Sequence, residues 1–116
     1  MADERRQRGN RGEDAVARVL ARRGYAVLER QYRCRWGEID IIARDPEGVL
    51  CFVEVKTRAN DRFAPARMAV TPSKQRKLRL TAGCYLAERG LDCQCRFDVA
   101  EVYWASRSIN YIINAF

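Results

Sequence analysis

The 116-residue chain predicts a mixed α/β domain of element order α-β-β-β-α-β-β, a mixed sheet with a helix on each face rather than a doubly wound parallel sheet. Three observations predict it. Apolar residues recur at helical spacing in residues 11–23 and 73–89, and each stretch is closed by a glycine, Gly24 or Gly90. Between the helices, residues 37–43 and 49–56 read as strands around the turn sequence Asp45-Pro46-Glu47-Gly48. After the second helix, residues 95–104 and 109–113 read as two further strands. A domain of this length buries roughly two-thirds of its unfolded surface, enough for one core.

Residues 1–10 are polar, arginine-rich and aperiodic, and read as a flexible basic arm ahead of a single domain over 11–116. In the first helix Ala15, Val16, Val19 and Leu20 form the inward stripe. Glu13 precedes Val16 by three residues and continues that stripe, whereas Asp14 is placed to pair with Arg18 on the outer face. A carboxylate in line with a core stripe is either a helix N-terminal charge or a site residue. Residues 25–32 make the first strand. Residues 57–70 form a polar loop long enough to serve as a flap. Thr71-Pro72 reads as an N-cap followed by a first-turn proline. Leu78, Ala82, Tyr85 and Leu86 then face inward, with Gln75 along the same stripe and Lys74 and Lys77 at its edge.

The hairpin carries the chemistry. Proline at the second turn position and glycine at the fourth specify a three-residue loop, a type I turn closed by a glycine bulge. That register sets Asp45 opposite Val49, Asp40 opposite Glu54, and Glu38 opposite Lys56. Alternation puts Glu38, Asp40, Glu54 and Lys56 on one face with Ile42, Leu50 and Phe52. It puts Ile39, Ile41, Val53 and Val55 on the other. Directly opposed carboxylates, with Cβ atoms about 5 Å apart, repel unless something positive lies between them. Lys56 is one candidate and an oxygen-seeking divalent cation is another.

The formal charge of +7 is unevenly spread. Residues 1–36 carry +5, residues 37–55 carry −4 and residues 56–79 carry +7. An acidic hairpin between basic stretches suits a polyanion that meets a metal at one phosphate. Histidine is absent, which removes the usual general base and every Ser-His or Cys-His scheme. The five cysteines include no Cys-x-x-Cys pair, so structural zinc is not expected. Cys51 and Cys84 fall in apolar stretches and read as small core residues. Neither a transmembrane segment nor the apolar stretch of a signal peptide is visible, and a soluble cytoplasmic protein with no membrane partner is expected.

Glu13, Gly37-Glu38-Ile39-Asp40 and Phe52-Val53-Glu54-Val55-Lys56 together resemble the PD-(D/E)xK nuclease superfamily of restriction-endonuclease-like folds. More closely, the chain resembles the bacterial YraN family, from Arg11-Gly12-Glu13 through Thr57-Arg58 and Arg96-Phe97-Asp98-Val99 to Asn114-Ala115-Phe116. The resemblance implies a central sheet flanked by helices, with Asp40 and Glu54 binding Mg²⁺ or Mn²⁺ and the Val55 carbonyl completing the inner coordination. It implies that Lys56 positions a water and balances charge on the scissile phosphate. Glu13 matches the helical carboxylate of the Holliday-junction-resolvase branch. Ile39 stands where the superfamily's name has proline.

The expected activity is metal-dependent phosphodiester hydrolysis of structured or branched nucleic acid, DNA in preference to RNA. Arg11, Arg35, Arg58, Arg62, Lys74, Gln75 and Arg76 are the expected contacts to neighbouring nucleic acid. Symmetric cutting of two strands would require a homodimer, for which Trp36, Tyr103 and residues 111–113 are interface or core candidates. Two alternatives stand beside it. One is a non-catalytic nucleic-acid-binding protein. The other is an interaction protein whose acids meet a basic partner, which predicts no salt-dependent affinity for DNA.

Overall fold

Asp45-Pro46-Glu47-Gly48 makes the turn its sequence specifies. The Asp45 N–H donates to the Val49 carbonyl (2.9 Å) and the Gly48 N–H to the Asp45 carbonyl (3.0 Å). Gly48 takes φ +92°, open to glycine at no steric cost. The Asp45 carboxylate also accepts from the N–H groups of Glu47 and Val49, so the turn holds its own backbone. From this turn, in a computed structural model, strands β2 (Gly37–Arg44) and β3 (Leu50–Arg58) run back antiparallel. The pairs Ile41–Val53, Ile42–Phe52, Ala43–Cys51 and Arg44–Leu50 match the register expected from the turn. The structure describes residues 2–58 and 70–116, with side chains from residue 10 onward. The expected flap over 57–70, apart from its ends, and Arg62 within it lie outside the described residues.

Helix α1 (Ala2–Arg22), β1 (Ala26–Cys34), helix α2 (Pro72–Arg89), β4 (Cys95–Tyr103) and β5 (Ser108–Ile112) complete the expected order. The five strands lie in chain order in one sheet. Only β3 and β4 are parallel, joined by the α2 crossover; the other neighbours are antiparallel. Thr71 caps α2 as its sequence predicts, its hydroxyl accepting from the Lys74 N–H (3.2 Å). Gly90 ends the helix in the left-handed conformation.

The first helix begins at Ala2 rather than Arg11, so it runs through the segment expected to be an arm. Arg, Glu and Gln are good helix formers, and their propensity extends the helix without an apolar stripe. The inner stripe sits where the periodicity puts it. Val16 and Leu20 pack with Ile41, Ala43, Cys51, Val53, Ala100 and Val102 on one sheet face. Leu78, Ala82 and Tyr85 of α2 pack with Ile42, Leu50, Phe52 and Val99 on the other. Alternation along β2 and β3 therefore feeds two cores, one under each helix.

That alternation fails at one place. Ile39 was expected beside Ile41, yet it packs in the α2 core with Tyr32. Across from Asp40, Gln31 of β1 has φ 52°, which interrupts the regular pleat. Asp40 thus sits at an irregularity and not within an even ribbon. The β2–β3 ladder stops at Ile41–Val53, and beyond it the two strands part.

A buried polar network ties the turn end of the sheet together. Arg96 of β4 donates to both carboxylate oxygens of Asp98 (3.1 Å each), to Asp45 (2.9 Å) and to the Tyr25 hydroxyl (2.6 Å). Asp98 is fully buried and also accepts from the Tyr111 hydroxyl and the Asn114 N–H. Each buried oxygen is satisfied, as a buried charge requires.

Candidate active site

Where β2 and β3 part, the Asp40 carboxylate fills the gap. Its Oδ2 accepts the Val55 N–H at 2.7 Å, taking the place of a ladder hydrogen bond. The Glu54 carboxyl lies within hydrogen-bonding reach of Asp40. Lys56 Nζ stands 3.9 Å from Glu54 Oε1. The two carboxylates converge as the register implies, although through a side-chain contact rather than a regular cross-strand pair.

The electrostatics follow from that convergence. Burial, reinforced by the neighbouring Asp40 charge, pushes the Glu54 carboxyl up to about 8. Lys56 is held below its usual range by burial and by Lys74, whose ammonium group meets it from the first turn of α2. Two acids and two lysines thus face one another. Glu54 binds its proton more tightly when folded, so stability is full below its unfolded value of 4.5 and falls as pH rises toward 8. Glu54→Gln should remove this loss and flatten the melting temperature between those limits in metal-free buffer. A thermal scan in which wild type and variant keep the same pH slope would contradict the assignment.

Glu13 is buried on α1, its carboxyl raised by burial and its Oε1 bonded to Arg30 Nε at 2.8 Å. The Asp40 charge reaches it as well. Arg30 bridges from Glu13 to Asp14 (2.6 Å), so Asp14 pairs across to β1 and not with Arg18. Glu13, Glu38, Asp40, Val55 and Thr57 line a polar cleft of about 490 Å³, together with Asn10, Gln31 and Arg33. Glu54 and Lys56 are not among its lining residues; they approach Asp40 from the α2 side of the sheet. Gly12 lets α1 come this close: a Cβ there would stand 3.0 Å from Thr57 Oγ1.

Other expected residues are placed differently. Glu38 does not oppose Lys56; the strands have parted, and Glu38 pairs with Arg33 of β1 at 3.0 Å. In the sheet, Lys56 lies beside Glu101 of β4. Arg58 is engaged with that buried Glu101 (3.4 Å). Gln75 donates to the Val70 carbonyl (3.1 Å), which fixes the approach to α2. Arg35 is exposed and stacks over Trp36 at 4.5 Å. Arg76 is exposed on α2. Arg11 borders a separate cavity with Trp104 and Arg107. Sequence reasoning missed Arg30, Gln31 and Lys74's approach to Lys56. The strand pattern offers no signal for the left-handed turn at Gln31, whereas the proximity of Lys74 could be read from its place in the first turn of α2.

Among the described residues, no group of three or more His, Cys, Asp or Glu side chains is arranged to hold a metal ion. The donor set at Asp40 and Glu54 nevertheless fits a hard divalent cation. It offers oxygen ligands only, and such an ion relieves the like-charge crowding that raises Glu54. Mg²⁺ in particular binds through one or two carboxylates and keeps several waters. No helix of the described residues is long and apolar enough to cross a membrane.

A five-stranded mixed sheet between two helices, with a carboxylate pair and a lysine where its central strands separate, defines the class of this molecule. The chain belongs to the uncharacterised protein family UPF0102, which it matches over residues 12–102; this is the YraN-like group that its motifs resemble. It is 44% identical over 118 residues to a UPF0102 protein of Pelobacter propionicus, covering 97% of this chain and 84% of the other. A UPF0102 protein of Moorella thermoacetica is 46% identical over 108 residues, covering 92% and 88%. One of Ralstonia pickettii is 47% identical over 98 residues, covering 81% and 78%.

Proposed function

We propose that this protein is a metal-dependent endonuclease that hydrolyses phosphodiester bonds of nucleic acid, with structured or branched DNA as its substrate class. The observation that carries the reading is the contact between the Asp40 and Glu54 carboxyls beside Lys56. Two carboxylates forced together at a cost to ionisation need a cation, and a perturbed acid beside a polar cleft marks a candidate site. Asp40 and Glu54, with the Val55 carbonyl, would hold Mg²⁺ or Mn²⁺. Bound there, the ion supplies Lewis-acid stabilisation of a phosphate oxygen and lowers the pKa of a bound water.

The chain's own residues do the rest. Lys56, next to Glu54, offsets negative charge developing on the phosphate. Lys74 adds a second cation at the same place. Arg30 holds Glu13 in position at the cleft, while exposed Arg35 and Arg76 meet neighbouring phosphates without reading sequence.

A cleavage assay on a four-way DNA junction tests the reading. Mg²⁺- or Mn²⁺-dependent nicking by wild type is expected. Asp40→Ala and Glu54→Ala should lose at least about a hundredfold, the usual scale for a group that stabilises developing charge. Asp14→Ala, on the outer side of Arg30, should retain activity. Junction binding without nicking under either ion would instead make this a non-catalytic nucleic-acid-binding protein.

A further inference from the structure

Cys34 is the last residue of β1, and Cys84 lies on the face of α2 that covers this corner of the sheet. Both pack against the core under α2, each thiol acts on the ionisation of the other, and both residues are partly exposed. The Trp36 N–H points at Cys34 Sγ from 3.4 Å. Cys34 pairs in register with Gly37, and Thr81 Oγ1, one helical turn before Cys84 on α2, lies 3.5 Å from where a Cβ on Gly37 would stand. The turn and the helix thus surround Cys34 with donors. Cys84 has a different setting, with the Glu88 carboxylate and the Arg35 guanidinium as its charged neighbours.

We propose that Cys34 and Cys84 form a peroxide-reactive dithiol that closes to an intramolecular disulfide, with Cys34 as nucleophile and Cys84 as resolving thiol. The Cys34 thiolate attacks one oxygen of hydrogen peroxide, the O–O bond breaks, and hydroxide leaves to take up a proton as water. The resulting Cys34 sulfenic acid is then attacked at sulfur by Cys84, which loses its proton; the S–O bond breaks and a second water leaves. Two thiols are oxidised and one peroxide is reduced, so atoms and electrons balance.

The asymmetry of the pair supports these roles. Burial opposes ionisation of Cys34, yet the Trp36 N–H, the Cys84 thiol and the Thr81 hydroxyl outweigh it and hold the group below the usual thiol range. Cys84 is raised, first by its hydrogen bond to Cys34 and then by burial. The buried Cys51 thiol is pushed up to about 12 by desolvation, and burial also raises Cys95. Neither is a competing nucleophile. This site is independent of the carboxylate cleft, and its chemistry needs no nuclease activity.

The full chain, reduced and freed of reductant, should lose two hydrogens per molecule on treatment with hydrogen peroxide. Peptide mapping should then show a link between Cys34 and Cys84. In Cys84→Ser the sulfenic acid should persist and take up dimedone at Cys34, at least tenfold more than Cys84 does in Cys34→Ser. The wild-type mapping needs no variant to fold. Peroxide-treated wild type that retains both thiols, or links either one to Cys93 or Cys95, would overturn the proposal. Equal dimedone labelling of the two variants would overturn the assignment of roles.

Discussion

Asp40→Asn is expected to abolish Mn²⁺ binding while making the metal-free protein more stable at pH 8. The two effects have opposite signs because the carboxylate does two things. As a charge it crowds Glu54, whose carboxyl it helps raise to about 8. As an oxygen it accepts the Val55 N–H at 2.7 Å. Asparagine keeps an oxygen for that N–H and removes the charge, so Glu54 ionises at lower pH and the strain of the pair disappears. A bound ion stabilises a fold by about 2.7 kcal/mol at roughly 100 times its Kd, and the variant should forfeit that gain. Calorimetric titration with Mn²⁺ and thermal melts with and without the ion check both halves. A variant that still binds Mn²⁺ like wild type would dismiss Asp40 as a ligand. Asp40→Ala is the less informative change, since it also leaves the Val55 N–H unpaired, which costs about 1–3 kcal/mol.

Asp98→Ala should cost about 3–5 kcal/mol, the scale for removing one partner of a buried ion pair. The substitution strands Arg96, only 12% exposed at its side chain, with Asp45 as its one remaining carboxylate. It also removes the acceptor for the Tyr111 hydroxyl and the Asn114 N–H. Asp98→Asn retains an acceptor and should lose less. Urea unfolding at constant m-value measures both; a loss under about 1 kcal/mol for the alanine variant would mean that the network contributes little net stability.

The fold was legible because its signals are local. The turn at Asp45–Gly48 sets the hairpin register through a glycine at φ +92°, and Thr71 and Gly90 bracket α2 with caps that need only their immediate neighbours. That register predicts Asp40 opposite Glu54, but the ladder stops at Ile41–Val53, and the two carboxyls meet through their side chains rather than as a cross-strand pair. What stayed hidden depends on contacts distant in sequence. Lys56 was matched to Glu38 by counting residues, but the strands separate before that pair can form. Glu38 and Arg58 pair instead with Arg33 and Glu101, and Glu101 comes from a strand that reaches its place only after a helical crossover. The departure of Ile39 from simple alternation depends on a left-handed residue in the facing strand, which a period-2 pattern cannot express.

The outer margin of β1 bears on how two copies of this chain could meet. A free strand margin presents unpaired amides and carbonyls that invite another sheet. Here that row is broken by the bulge between Val27 and Glu29 and again at Gln31, while Glu29, Arg30 and Arg33 load the same strand with charge. Edge-to-edge joining through β1 is thereby disfavoured, so among the described strands a continuous ten-stranded ribbon would have to form through the opposite edge, β5.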